Sequence, residues 1–222
     1  MVEPAGRLNP RAGEVLKDMV ARHPDLAGVA ESLAHAYSLI AESLARGGIL
    51  FLCGNGGSLS DALHISGELL KSYAHRRPLP EAHRARLLSE WNGEVLADSL
   101  ERGLRAVVLG VNPSLTSAVN NDFAARDLAY AQELYALACP GDVLLGISTS
   151  GKAANVRNAV SVARALGLRT IALTGPAGGP LAEQVDVAIR APGARTDRIQ
   201  EQHVVLYHAL CEMLEVELAA QS

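Results

Sequence analysis

No stretch of this chain approaches the roughly 20 consecutive apolar residues that a membrane-spanning helix needs, although 49% of its 222 residues are hydrophobic. Residues Met1 to Pro10 carry no basic-then-apolar export pattern. Those two absences imply a protein of the cytoplasm. Lysine-rich blocks are missing and the formal net charge is −4. This argues against a sequence-independent nucleic-acid binder, which needs a positive face to displace counterions from phosphates, and points to small-molecule partners. The three cysteines, Cys53, Cys139 and Cys211, are far apart, odd in number and without metal-type spacing, so buried, reduced thiols are the expectation. Signature loops are absent too. There is no Gly-x-x-x-x-Gly-Lys-Ser/Thr loop for a nucleoside triphosphate, no Gly-x-Gly-x-x-Gly for a dinucleotide and no Gly-x-Ser-x-Gly elbow for a hydrolase. No low-complexity tract or flexible interdomain linker interrupts the chain.

What is present suits one α/β domain, since a chain of this length can bury a single sizeable core. From Arg11 to Arg46, apolar residues recur at three- and four-residue steps with a break at His23-Pro24-Asp25, which predicts two helices. After Gly47-Gly48 the pattern changes to apolar runs at Ile49–Cys53, Ala106–Leu109, Val143–Ile147, Thr170–Leu173 and Val185–Ile189, alternating with helical segments. That alternation predicts a parallel sheet covered on both faces, with ligands bound beyond the carboxyl ends of the strands. The last helix runs from about Asp197 to Leu218 and presents an apolar face through Val204, Leu210, Leu214 and Leu218. Between Lys71 and Arg105 the pattern is least regular. It fits a mobile lid or, better, a solvated basic loop followed by a helix from Ser89 to Arg102.

Three turns follow strands. Asn55-Gly56-Gly57-Ser58, after Gly54, joins a strand to a helix whose start can hold an anion. Ser148-Thr149-Ser150-Gly151 offers hydroxyls at the start of the helix Ala153–Leu166, which suits the acceptor oxygens of a phosphate, although hydroxyls at helix starts also serve as ordinary caps. The third, Thr174-Gly175-Pro176, has fewer hydroxyls and reads as structural. On the first of these helices His64 and Glu68 are four residues apart and therefore neighbours, about 6 Å from Cβ to Cβ. They can be two metal ligands, a base with a proton carrier, or a surface hydrogen bond. On the last helix Gln200 and His208 are eight residues apart, an axial gap of about 12 Å that leaves them within roughly 80° of each other. His203 competes with them.

Taken in order, Cys53–Ser58, Asp61, His64, Glu68, Asn121-Asp122-Phe123, Gly141–Gly151, Asp197–Glu201 and His208 resemble the SIS (sugar isomerase) fold, and within it the phosphoheptose isomerase family. The resemblance covers nearly the whole chain, 1–222, as one SIS domain. It implies a five-stranded parallel sheet flanked by helices over 48–222, with 1–47 as a helical assembly segment, and a homotetramer with active sites between subunits. It implies sugar-phosphate binding by Asn55, Gly56, Gly57, Ser58, Asn121, Asp122, Ser148, Thr149 and Ser150, with Asp197 on a sugar hydroxyl. His64, Glu68, Gln200 and His208 would surround the reacting carbons and can hold a divalent metal, commonly zinc. The implied reaction turns sedoheptulose 7-phosphate into an aldose through an enediol, with Glu68 as base and His208 as its acid/base partner. A non-catalytic SIS sensor or protein-binding adaptor is the alternative, but it needs the phosphate turns without Glu68 and His208. The chain departs from the family's usual pattern in three places. Lys152-Ala153 stand where Asn-Ser is usual, so Lys152 can replace a lost hydroxyl by charge. Ser72 stands where a basic residue is common, and the stretch from Ser72 to Arg105 is longer.

Overall fold

The computed structural model of the chain describes residues 8–219, so Met1 to Arg7, part of the stretch inspected for an export signal, lie outside the described residues. The chain begins with α1 (Pro10–Arg22), a 3-10 turn (Pro24–Val29) and α2 (Ala30–Ala45). Pro10 sits in the first turn of α1, and the Asn9 side chain accepts from the Arg11 N–H, capping a helix end that would otherwise leave donors unpaired. Pro24 then forces the predicted break.

The remaining elements are β1 (Leu50–Gly54), α3 (Gly57–Leu70), α4 (Glu81–Leu87), α5 (Gly93–Ser99), β2 (Ala106–Val108), α6 (Pro113–Asp122), α7 (Ala129–Leu137), β3 (Val143–Ser148), α8 (Ala154–Ala165), β4 (Arg169–Thr174), α9 (Gly179–Ala182), β5 (Val187–Arg190) and α10 (Thr196–Ala219). The five strands form one parallel sheet in the order β2-β1-β3-β4-β5. All five fall on the apolar runs identified in the sequence.

Period-two alternation divides the core. Leu50, Leu52, Leu145, Ile147, Ile171 and Leu173 face one side, where α1, α2, α3 and α10 cover them. Phe51, Cys53, Leu144 and Ala172 face the other, under α7, α8 and α9. Full burial of a side chain such as Phe51, 0% exposed, contributes roughly 1.5–3 kcal/mol. The amino-terminal helices belong to this packing: Met19, Leu33 and Ile40 are fully buried in the first cluster.

Two expectations fail between Lys71 and Arg105. The helix expected over Ser89–Arg102 is only Gly93–Ser99. Asn92 adopts a left-handed φ of 58°, which a right-handed helix cannot contain, and Leu100 is extended. The stretch after α3 is not simply solvated either, because Arg77 is buried at 4% exposure and ion-paired with Glu215 on α10.

Candidate active site

Strand order reverses between β1 and β3, so the connections leaving these strands go to opposite faces of the sheet and open a crevice at their carboxyl ends. The two predicted phosphate turns flank that crevice. β1 runs through Asn55 and Gly56 into α3, and β3 runs through Thr149–Ala153 into α8, so the positive ends of both helices meet there. A reciprocal amide pair closes the gap: Asn55 Nδ2 donates to Asn155 Oδ1 at 2.9 Å, and Asn155 Nδ2 donates to Asn55 Oδ1 at 2.8 Å. The Tyr130 hydroxyl donates to the Gly54 carbonyl at 2.5 Å and to Asn55 Oδ1 at 3.2 Å. Gly56 caps α3 with φ 57°, and Ser58 is buried. A Cβ on Gly57 would lie 2.3 Å from Gln200 Nε2, so only glycine lets the Gln200 amide rest on the start of α3.

The second turn is held from behind. Gly151 has φ 63°, and a Cβ there would stand 1.8 Å from the Gly178 carbonyl oxygen. Thr149 O accepts from Gly175 N at 3.0 Å, and Gly151 O accepts from Leu181 N at 3.0 Å. The third turn is therefore a buttress for the second, in keeping with its structural reading. Ser148 is buried, Thr149 half-buried and Ser150 exposed, with the Ser150 hydroxyl accepting from Lys152 N at 3.3 Å. Lys152 is itself exposed beside this turn.

Farther along α3, His64 Nε2 lies 3.0 Å from Glu68 Oε1, and His64 Nδ1 lies 2.9 Å from the Tyr207 hydroxyl. The His64 and His208 rings meet edge to face at 4.9 Å, and donor atoms of His64, Glu68 and His208 all lie within 4.8 Å of one another. Glu68 is mostly shielded, with 17% of its side chain exposed. Burial, and next the neighbouring His64, push the His208 imidazole below its ordinary range against the opposing pull of Glu68. Burial also raises the Tyr207 phenol to about 12 and the Asp61 carboxyl to about 6, His64 opposing the latter. The donor set fits a divalent cation. His64 stands between the Tyr207 hydroxyl on its Nδ1 side and the Glu68 carboxylate on its Nε2 side, contacts that fix the orientation of the ring.

The other predicted residues are more scattered. Gln200 sits at the start of α3, two helical turns before His64. Asn121 and Asp122, at the end of α6, are exposed, and Asn121 Nδ2 donates to Asp122 Oδ1 at 2.8 Å. Asp197 is gripped by Arg195 through two hydrogen bonds of 3.1 and 2.9 Å. Among the described residues no hydrogen bond joins these four to the His–Glu–His cluster. The competitor His203 is fully buried, its Nε2–H donating to Thr174 O at 3.2 Å, and packs in the fold away from the cluster. Reading the site residues from sequence missed Tyr73, Tyr207 and Asn155. Asp61 had a signal, since with His64 and Glu68 it marks one face of α3 at i, i+3 and i+7.

Fold and site together define a sugar-phosphate SIS domain, and the sequence model of that domain matches residues 26–103 and 95–175. The phosphoheptose isomerase of Aliarcobacter butzleri is 35% identical over 209 residues, covering 92% of this chain and 97% of that protein. That of Thiobacillus denitrificans is 41% identical over 180 residues, covering 80% and 79%. The solved phosphoheptose isomerase GmhA of Neisseria gonorrhoeae superposes with a TM-score of 0.70 at 31% identity, covering 95% of this chain and all of that one. The chain belongs to the phosphoheptose isomerase family.

Proposed function

We propose that this isomerase interconverts sedoheptulose 7-phosphate and D-glycero-D-manno-heptose 7-phosphate. The observation that supports the reading is the meeting of Glu68 from α3 with His208 from α10 in one cluster with His64, on helices that both pass the crevice. Gly57 touches Gln200, and seven residues later in each helix His64 touches Tyr207. The two helices therefore run side by side in the same direction. His64 lies about 10 Å along the axis from the phosphate turn, on the scale of an extended heptose phosphate.

The phosphate is gripped by Asn55, Gly56, Gly57 and Ser58 on one side and by Ser148, Thr149 and Ser150 on the other, with Lys152 adding charge. Asn121, Asp122, Asp197 and Gln200 contribute to the sugar. Glu68 takes the proton from C1, and the electron pair forms the C1–C2 double bond of the enediol as the carbonyl oxygen gains a proton. His208 assists the oxygen-to-oxygen proton movement, and a proton returns to C2. A carboxylate serves as base here because it is close to the carbon acid and largely out of bulk water, a role worth about 10²- to 10⁴-fold in rate. His64, Glu68 and His208 would hold a divalent metal, zinc by donor type, and Gln200 would join them only by turning its amide away from Gly57. Such an ion supplies Lewis-acid polarisation of the substrate oxygens.

A homotetramer and a cytoplasmic location complete the reading; among the described residues no helix is long and apolar enough to cross a membrane. The decisive test is incubation with sedoheptulose 7-phosphate in deuterated water. Deuterium at C2 of an aldose product is expected. No exchange across a panel of ketose phosphates, with zinc present, would refute catalysis.

A further inference from the structure

The strap that follows α3 is held by a buried latch. The Glu215 carboxylate accepts three consecutive backbone N–H groups, from Tyr73 at 2.7 Å, Ala74 at 2.7 Å and His75 at 2.8 Å. Arg77 Nε stands 3.2 Å from the same carboxylate, with the two side chains 3% and 2% exposed. The Arg77 guanidinium also donates to the carbonyls of Glu68, Leu69 and Lys71, closing the carboxyl end of α3. One ion pair thus ties the end of the helix carrying Glu68 to the helix carrying His208.

Glu215 lies seven residues after His208, about two turns along the same face of α10. A strap fastened to Glu215 must run beside that face, and it lays the Tyr73 ring flat against the His208 imidazole, with centroids 5.5 Å apart and planes 9° from parallel. Tyr73 remains 39% exposed, so the ring is placed there without deep burial. Its hydroxyl has no hydrogen-bond partner among the described residues. On the other sides of His208 stand the His64 edge and the tilted Tyr207 ring.

We propose that Tyr73 is a positioning residue for His208, delivered by the Arg77–Glu215 latch, and that its flat ring rather than its hydroxyl fixes the orientation of the imidazole toward Glu68. The inference rests on the isomerase reading of the site. Its test compares Tyr73→Leu and Tyr73→Phe in the full chain, measuring kcat and KM for sedoheptulose 7-phosphate and the His208 ring-proton shifts, assigned by their loss in His208→Gln. Loss of fixed orientation should lower kcat of the Leu variant about 10- to 100-fold with KM within about twofold, while the Phe variant stays within about twofold of the wild type in both. The ring-current shift on His208 should vanish with Leu and persist with Phe, a signature independent of turnover.

An active wild type whose Leu variant keeps full kcat overturns this inference alone. So does a Phe variant as impaired as Leu, which would assign the role to the hydroxyl, or a Leu defect confined to KM. An inactive wild type removes the proposed function, and this role with it.

Discussion

Replacing Glu68 by Gln changes one atom and one charge, so its consequences can be apportioned. In the fold Glu68 makes a helical i, i+4 contact with His64 at 3.0 Å, the two side chains being 17% and 44% exposed. Pairs of that type are worth about 0.3–0.5 kcal/mol, which for a domain of this size shifts the melting midpoint by about 1–2 °C. In the proposed site the two turns at the crevice carry most of the substrate binding, so affinity should change by no more than about tenfold, roughly 1.4 kcal/mol. In the proposed mechanism the chemistry depends on the carboxylate itself. Losing a general base should lower kcat by about 10²- to 10⁴-fold, roughly 3–5 kcal/mol in the barrier. Steady-state turnover of sedoheptulose 7-phosphate, calorimetric binding of the same sugar phosphate and thermal melting together separate these three effects. A Gln variant with kcat within threefold of the wild type would refute Glu68 as the base. A variant that turns over normally when saturated but binds a hundredfold more weakly would reassign Glu68 to the grip on the substrate.

Ser150→Ala should raise KM more than it lowers kcat, because Ser150 belongs to the turn proposed to grip the phosphate and not to the His–Glu–His cluster; a defect in kcat alone would contradict that. Gly151→Ala meets both a positive φ of 63° and the Gly178 carbonyl 1.8 Å from the new Cβ. It should weaken sugar-phosphate binding and lower the melting midpoint, and a protein unchanged in both would show that the third turn does not brace the second. His203 is fully buried and burial lowers its pKa, so folding favours its neutral form. Its contribution to stability is complete above its unfolded pKa of about 6.5 and is lost as pH falls through that value toward the lower folded one. Melting midpoints of the wild type and His203→Gln measured from pH 7.5 to 5 should therefore converge on acidification; parallel curves would exclude His203 as a source of acid lability.

The sheet was legible because its strands are buried on both faces and read as continuous apolar runs ended by small residues, as at Leu50–Gly54 and Val143–Ser148. The His64–Glu68 pair was legible because helical periodicity makes i and i+4 neighbours. Their meeting with His208 was legible only through family resemblance, since spacing along α10 left His203 and His208 in competition. Burial against Thr174 separates them, and burial of one particular face is a tertiary fact. Asn155 escaped notice for a related reason: a polar residue at a helix start reads as a cap, and its Oδ1 does accept from Val156 N at 3.0 Å while its amide also reaches Asn55.

The strap over 71–77 shows why charge patterning misleads at such a site. His75-Arg76-Arg77 has the composition of a solvated basic loop, yet Arg77 lies deep in the fold because Glu215, 138 residues away, provides the opposing charge. Burying either alone would be prohibitive, and removing one partner of such a pair commonly costs about 3–5 kcal/mol. Together they satisfy the strap's backbone donors and the carbonyls ending α3. The pair thereby sets the distance between the helices bearing Glu68 and His208. A segment that composition assigns to solvent is, in the fold, the connection between the helix carrying Glu68 and the helix carrying His208.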